Sequence, residues 1–407
     1  MRTLNAKKFE IPSLETYKLD GIRKIALSLG HPELGRPTIL VAGTNGKGSV
    51  CAYLSVLAKF AGLKVGTYSS PHVIAPEERI RINNKPISRG LLQTYERRYF
   101  KILSGLTFFE RWTILAFLIF RDLKVNLQII EVGMGGRLDA TNICEPDVSV
   151  IASIDYDHQE VLGKTLSKIS FEKAGIMRAG RPVILHPQVS EVRRMLRNSA
   201  DDRQAEIVQS ERWKIPSNLS SHFWWIRRDL GEHQFQNARS ALLSWEIFSS
   251  EVGISARISV AQMKRALSRE SLWPGRVEIV SRNPFILVDG AHNPHALKAL
   301  VRFLKNQPIK KWNLIFGMMA DKNAAEAIEC LRPFATRVLL PSYYPEREFR
   351  PQDLKALWKR ARVDAEVVKD IQSALRLVRN SGSSENRNIL VAGSFYLAGA
   401  ALSQLRK

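Results

Sequence analysis

The chain has 407 residues, 45% hydrophobic and 25% charged, which is enough apolar material for two hydrophobic cores and excludes a disordered chain. Its 61 Lys and Arg against 39 Asp and Glu give a formal net charge of +22, but the basic residues are scattered and no zinc-knuckle, basic-zipper or RRM signature accompanies them, so polyanionic small substrates are favoured over nucleic acid. Three widely spaced cysteines, Cys51, Cys144 and Cys330, exclude a disulfide framework and a Cys-rich metal site.

The first 20 residues lack the apolar core of a secretory signal. No run reaches the roughly 18 apolar residues of a membrane span, and the nearest candidate, Trp112 to Phe120, has the length of a buried helix. A reduced, cytoplasmic protein without a membrane partner is expected. Apolar runs then alternate with helical patterns, as in an α/β protein with mainly parallel sheets. In chain order, strands are expected at 37–42, 64–68, 127–132, 148–153 and 182–185. Residues 205–235 read as irregular and Trp-rich, and 236–248 as a helix. The periodicity breaks at 267–276, around Trp273-Pro274-Gly275, which places a division between domains 1–270 and 271–407. Further strands are expected at 285–289, 312–317, 337–341 and 388–392, separated by helices such as 295–306 and 370–380.

Between the first strand and the next helix stands Gly43-Thr44-Asn45-Gly46-Lys47-Gly48-Ser49. A glycine-rich turn from strand to helix aims backbone N–H groups and the positive helix end at an anion. Lys47 adds a charge, and Ser49 a hydroxyl that can reach a metal. The spacing departs from the commonest phosphate loop, G-x-x-x-x-G-K-[ST], because two residues separate Gly43 from Gly46 and Gly48 divides Lys47 from Ser49. A nucleotide here requires a magnesium-binding carboxylate at a neighbouring strand end. Glu131, which closes the run at 127–132 and precedes several glycines, supplies one.

Asp155, Asp157 and His158 gather past the strand at 148–153, with Glu172-Lys173 following on a helix. In the last third, Asp289 closes a strand, and Gly290 to Pro294 turn into a helix, so that the acid, His292 and Asn293 line a strand-end crevice. An Asx turn would by itself explain Asp289 and Asn293. If these residues act with the glycine loop, the ligand lies between the domains.

These motifs occur in order with Ser69-Ser70-Pro71-His72, Glu78-Arg79-Ile80, Phe109-Glu110, Glu131-Val132-Gly133-Met134-Gly135-Gly136-Arg137-Leu138-Asp139-Ala140-Thr141-Asn142, Glu172-Lys173-Ala174-Gly175-Ile176, His233-Gln234, Asn237-Ala238, Trp273-Pro274-Gly275-Arg276 and Gly393-Ser394. The set resembles the folylpolyglutamate synthase and dihydrofolate synthase family of the Mur ligase superfamily over nearly the whole chain. In that family the short loop with its extra glycine is the nucleotide loop.

The resemblance implies a P-loop-type central ATPase domain with a mainly parallel sheet and a smaller Rossmann-like C-terminal α/β domain. It implies a monomeric, ATP-dependent amide ligase that joins L-glutamate to dihydropteroate, and to reduced folates, through an acyl phosphate. The Gly135-Gly136-Arg137-Leu138-Asp139-Ala140-Thr141-Asn142 form is more like the bacterial, often bifunctional enzymes; folylpolyglutamate synthesis alone is the alternative. Carried over by motif, Gly43, Thr44, Asn45, Gly46, Lys47, Gly48, Ser49, Asn237, Arg276 and Asp289 would bind ATP, and Ser49, Ser70, Glu131 and His158 would serve two magnesium sites. Lys47, Lys173 and His292 would be catalytic, with Lys173 resembling the lysine that the family carbamylates; a monovalent cation is a further implied cofactor. Leu19, Asp20, Gly21, Phe109, Glu110, Arg137, Leu138 and Asp139 match the pterin side, and Ser394 and Tyr396 the glutamate side. A nucleic-acid-binding P-loop ATPase is the reading from a different class, and it draws only on the charge.

Overall fold

The computed structural model describes residues 18–380 and 387–406; most of the first 20 residues, expected to hold no secretory signal, lie outside the described residues. Eight strands form the first sheet: β1 (Thr38–Ala42), β2 (Val65–Tyr68), β3 (Ile80–Ile82), β4 (Lys85–Pro86), β5 (Leu127–Glu131), β6 (Val148–Ile151), β7 (Pro182–Leu185) and β8 (Glu206–Gln209). Their order is β4-β3-β2-β5-β1-β6-β7-β8. β4, β3 and β2 pair antiparallel, and every other neighbouring pair is parallel.

All residues of β1 and β5 are buried, as expected of parallel strands covered on both faces. Along β1 the side chains alternate between two cores: Leu40 and Ala42 pack with helix Phe108–Asp122, whereas Ile39 and Val41 pack with helices Lys47–Phe60 and Glu232–Glu251. The apolar run Trp112 to Phe120 is buried throughout its length. No helix among the described residues is long and apolar enough to cross a membrane.

The second sheet holds β9 (Glu278–Arg282), β10 (Phe285–Val288), β11 (Trp312–Phe316), β12 (Ala335–Pro341), β13 (Ala365–Val368) and β14 (Ile389–Ala392), in the order β13-β12-β11-β14-β10-β9. Only the edge strand β9 runs antiparallel to its neighbour. Trp273 packs in a core of the first sheet, and Val277 in a core of the second.

One expectation is corrected. Residues 205–235, read as irregular, contain β8 and the helix Ser220–Asp229. The strand lies at a sheet edge with no fully buried residue, and the helix buries only Phe223 and Ile226, so neither writes a strong apolar period into the sequence. Helix 236–248 extends to Glu232–Glu251.

In the first sheet β1 lies between β5 and β6, where the chain changes direction across the sheet. Ligands of such folds bind outside the carboxyl ends of strands at this switch point. Here the loops after β1, β5 and β6 meet those after β10, β11 and β14 of the second sheet.

Candidate active site

The loop after β1 ends at Gly46, which adopts φ of 89° and starts helix Lys47–Phe60. A Cβ on Gly46 would lie 2.4 Å from Asn237 Oδ1, and one on Gly48 would lie 2.4 Å from a terminal nitrogen of Arg276. The glycines therefore admit both side chains to the loop as well as freeing its backbone. Lys47 Nζ donates to the Gly43 carbonyl at 3.0 Å, and so does Lys173 Nζ, also at 3.0 Å. Burial, and then the charge of Lys47, lower the Lys173 amine to about 7. Gln234 links Ser49 to Asn237: its Nε2 donates to Ser49 Oγ at 3.2 Å, and its Oε1 accepts from Asn237 Nδ2 at 3.2 Å.

The two sheets are joined over this loop. Asn45 and Asn293 exchange side-chain amide bonds of 3.3 and 3.0 Å, and Asn293 Nδ2 also donates to Asp157 Oδ2 at 3.0 Å. Asp157 Oδ1 meets Lys322 Nζ at 2.8 Å, with both side chains largely buried. Burial opposes ionisation of Asp157, but the facing side chains of His158, Lys322 and His292 outweigh it and hold the carboxyl below its usual range. Desolvation at the cavity wall pushes the His158 imidazole down to about 4, so that ring adds no full charge beside Asp157 at neutral pH. His158 has a φ of 49°, a conformation sparse for a non-glycine residue, at the point where the chain turns from β6 into the cleft.

His292 sits between two cavities. Its Nδ1 lies 2.9 Å from the Gly290 carbonyl; a carbonyl only accepts, so Nδ1 carries the proton and Nε2 of the neutral ring keeps a lone pair. Burial lowers its pKa. The larger cavity, about 850 Å³, is lined by Leu19, Ser70, Phe109, Glu110, Leu138, Asp139, His158, Ser394 and Tyr396 among others. The smaller, about 250 Å³, is lined by Asn45, Gly46, Ser49, Asn237, Arg276 and Asp289. His292 and Phe395 line both.

Several residues singled out from sequence have their polar groups engaged within the protein. Glu110 accepts from Thr107 N–H at 2.8 Å and Thr107 Oγ1 at 2.7 Å, a capping box for helix Phe108–Asp122. Asp139 accepts from the Met134 and Thr141 backbone at 2.9 and 3.0 Å, fixing the glycine-rich loop. Thr44 Oγ1 bonds to the Asp155 carbonyl at 3.0 Å. Arg137 pairs with Glu172 at 2.9 Å and, with the exposed residues Asp20 and Gly21, is not among the residues lining the large cavity. Lys322 was not singled out from sequence; its signal is an Asp-Lys pair shortly after the apolar run at 312–317.

No cluster of three or more His, Cys, Asp or Glu side chains suited to a metal occurs among the described residues. Magnesium at phosphate sites keeps waters and phosphate oxygens, and takes only one or two protein ligands, so the test falls on Glu131. It is buried, accepts one Ser70 N–H at 3.3 Å and, among the described residues, forms no salt bridge. Burial raises its pKa against the opposing charges of Lys47 and Arg276. A buried carboxylate in this state is stabilised by a cation beside it, and the residues fit magnesium. Asp289 is anchored differently: its carboxylate accepts from Val277 N–H at 2.7 Å and Ala291 N–H at 2.8 Å, and burial lifts it to about 6.

Comparison with known proteins agrees with this geometry. Residues 275–395 match the family described as Mur ligase, glutamate ligase domain. The dihydrofolate synthase/folylpolyglutamate synthase of Bacillus subtilis is 31% identical, covering 96% of this chain and 94% of its own. The Escherichia coli protein of the same description is 32% identical over 77% of this chain and 75% of its own. Among solved structures, Mycobacterium tuberculosis folylpolyglutamate synthase complexed with ADP and AMPPCP superposes with a TM-score of 0.84 at 27% identity, covering 96% of both chains. E. coli FolC in complex with DHPP and ADP gives 0.81 at 26% identity, covering 97% of this chain and 96% of that one.

Proposed function

Because the chain belongs to the dihydrofolate synthase/folylpolyglutamate synthase family, we propose that it is an ATP-dependent ligase that joins L-glutamate to dihydropteroate and extends reduced folates by the same chemistry. The observation that carries this reading is the meeting of two cavities at His292 and Phe395, the smaller of them walled by the glycine loop through Asn45, Gly46 and Ser49. The small cavity, with Asn237, Arg276 and Asp289, takes the nucleotide; the large one, with Phe109 and Leu138, takes the pterin acid. Residues 1–270 supply the nucleotide loop and the acid side, and 271–407 close the nucleotide site and supply the amine side.

In this mechanism a carboxylate oxygen of the acid attacks the γ-phosphorus and ADP leaves, giving an acyl phosphate. The glutamate amine then attacks the acyl carbon, loses a proton, and phosphate departs as the amide forms. Lys47 and the N–H groups of the loop and helix end hold phosphate oxygens as charge shifts to the leaving group. His292 Nε2 is placed to accept the proton released by the amine. Magnesium held at Ser49 and Glu131, and at a second position by Ser70 and His158, would offset the repulsion between carboxylate and triphosphate. A carbamate on Lys173 would replace a cation by an anion beside those ions.

The test is release of phosphate from MgATP and L-glutamate, run separately with 7,8-dihydropteroate and with a reduced folate, with products weighed by mass. Amide product with dihydropteroate is expected, and with folate as well; folate alone would leave only the chain-extending activity. Failure with both acids, beside ATP hydrolysis stimulated by nucleic acid, would overturn the reading. Asp289→Ala is expected to weaken ATP binding about tenfold or more, because it frees the Val277 and Ala291 backbone on the nucleotide wall. Unchanged affinity by titration calorimetry would mean that the second sheet does not complete this site.

A further inference from the structure

The carboxylate to be activated must reach the glycine loop whatever the length of the acid. In dihydropteroate it is carried by the ring system itself, whereas in a folate it stands on the last γ-linked glutamate. Every residue added therefore moves the ring system one residue farther from the reactive centre, past the place beside Phe109 and Leu138 that suits dihydropteroate. A longer acid requires a second apolar place, farther out and continuous with the first.

Such a place lies within the first sheet's layer. An open groove of about 450 Å³ adjoins the large cavity along Val161, Leu162 and Glu172, which line both. Its other walls include Phe171 of helix Leu166–Ala174 and Met195 of helix Ser190–Arg203. Phe171 is 40% exposed, although the same helix buries Ile169, Ser170 and Ala174. Cations gather at this ring. The guanidinium carbons of Arg137 and Arg203 lie 5.5 and 5.7 Å from its centre. Arg137 is paired with Glu172, whereas Arg203 donates to the Ser199 carbonyl at 3.1 Å. Lys168 also lines the groove. Its stem passes against Gly163, where φ is 98° and a Cβ would lie 2.7 Å from Lys168 Cδ. Among the described residues neither Lys168 nor Arg203 forms a salt bridge. An apolar wall edged by uncompensated cations complements an aromatic ring system joined to a row of carboxylates.

We propose that this groove is an outer subsite for the acid substrate, taking the part of a glutamate-extended folate that has passed out of the large cavity; this rests on the chain-extending half of the reading above. The ring system packs against Phe171 and Met195, and α-carboxylates of the γ-linked chain face Lys168 and Arg203. Dihydropteroate ends within the large cavity and does not reach the groove. The groove therefore governs which chain lengths are extended.

The experiment uses the full-length enzyme with saturating MgATP and L-glutamate. The acids compared are 7,8-dihydropteroate and tetrahydrofolates carrying one, two and three γ-linked glutamates. Phe171→Ala is expected to raise KM about tenfold for at least one of the folates, while KM for dihydropteroate stays within about twofold. The length at which the rise appears reports how far out the groove acts. Phe171→Tyr, which keeps the ring, should match the unaltered enzyme. Lys168→Gln is expected to raise KM about threefold for the same folates and to leave dihydropteroate unaltered; it carries the comparison should Phe171→Ala fail to fold. An equal change for all four acids, or no change for any folate, would overturn the subsite. Failure of the unaltered enzyme to extend any folate would remove the chain-extending reading and the subsite with it, an outcome seen without any variant.

Discussion

Lys173→Ala is expected to lower the ligation rate about a thousandfold while ATP still binds and the fold is retained. The lysine is 4% exposed, and its amine shares the Gly43 carbonyl with Lys47. An ammonium in that position would add a second cation where the proposed magnesium ions would lie, and burial and Lys47 both disfavour it. The neutral amine can add carbon dioxide to form a carbamate and release a proton, which converts the site to an anion. With an amine at about 7, the neutral fraction climbs from about a tenth at pH 6 to about nine-tenths at pH 8. The sign follows: in bicarbonate buffer, ligation by the unaltered enzyme rises over this interval and falls as the amine is protonated. Short carboxylates such as acetate should restore part of the rate to Lys173→Ala by occupying the vacated space. A variant that ligates at the unaltered rate would end the carbamate assignment, and equal loss of ATP affinity and rate would recast Lys173 as a support for the loop.

Gly399→Ala is expected to destabilise the protein by about 1–3 kcal/mol and to reduce ligation at least tenfold. Gly399 lies in helix Phe395–Leu405 of the second sheet's layer, and a Cβ there would lie 1.7 Å from the carbonyl oxygen of Val73. That oxygen belongs to backbone, and the backbone is held: Glu78, itself buried, accepts from the N–H groups of Val73, Ile74 and Ala75 at 3.0, 3.2 and 3.3 Å. The helix must therefore retreat, and it takes Ser394, Phe395 and Tyr396 with it. Phe395 lies under the Arg276 guanidinium at 5.2 Å, so the nucleotide wall shifts too. Gly90→Ala, also in a helix but with no atom near its added methyl, is the control and should be neutral or slightly stabilising. Denaturant unfolding and turnover of the two variants decide the matter: if Gly399→Ala behaves as the control does, the sheets do not depend on this contact.

The sequence by itself determined the strands that are buried on both faces and the loops that leave them. β1, β5, β7, β10, β11 and β14 lie within a residue or two of the expected ranges, because a strand covered on both faces is a continuous apolar run. β3, β4, β8, β9 and β13 were not read. They are two to five residues long and sit at or near sheet margins, where polar residues such as those in Glu278–Arg282 interrupt the run. The glycine loop proposed to hold phosphate stands out for a related reason: its pattern is local, carried by glycines, a lysine and a serine within seven positions.

Only the tertiary structure decided how the charges are spent. Asp157 and Lys322, or Asn45 and Asn293, interact through distances of about 3 Å that no spacing in the chain encodes. Glu110 and Asp139 read as candidate ligand-binding acids, but their carboxylates are taken up by the backbone of their own loops. Electrostatic and hydrogen-bond energies fall off over a few ångströms, so which charges remain free for a substrate is settled by packing, whereas the apolar pattern that drives that packing is written along the chain.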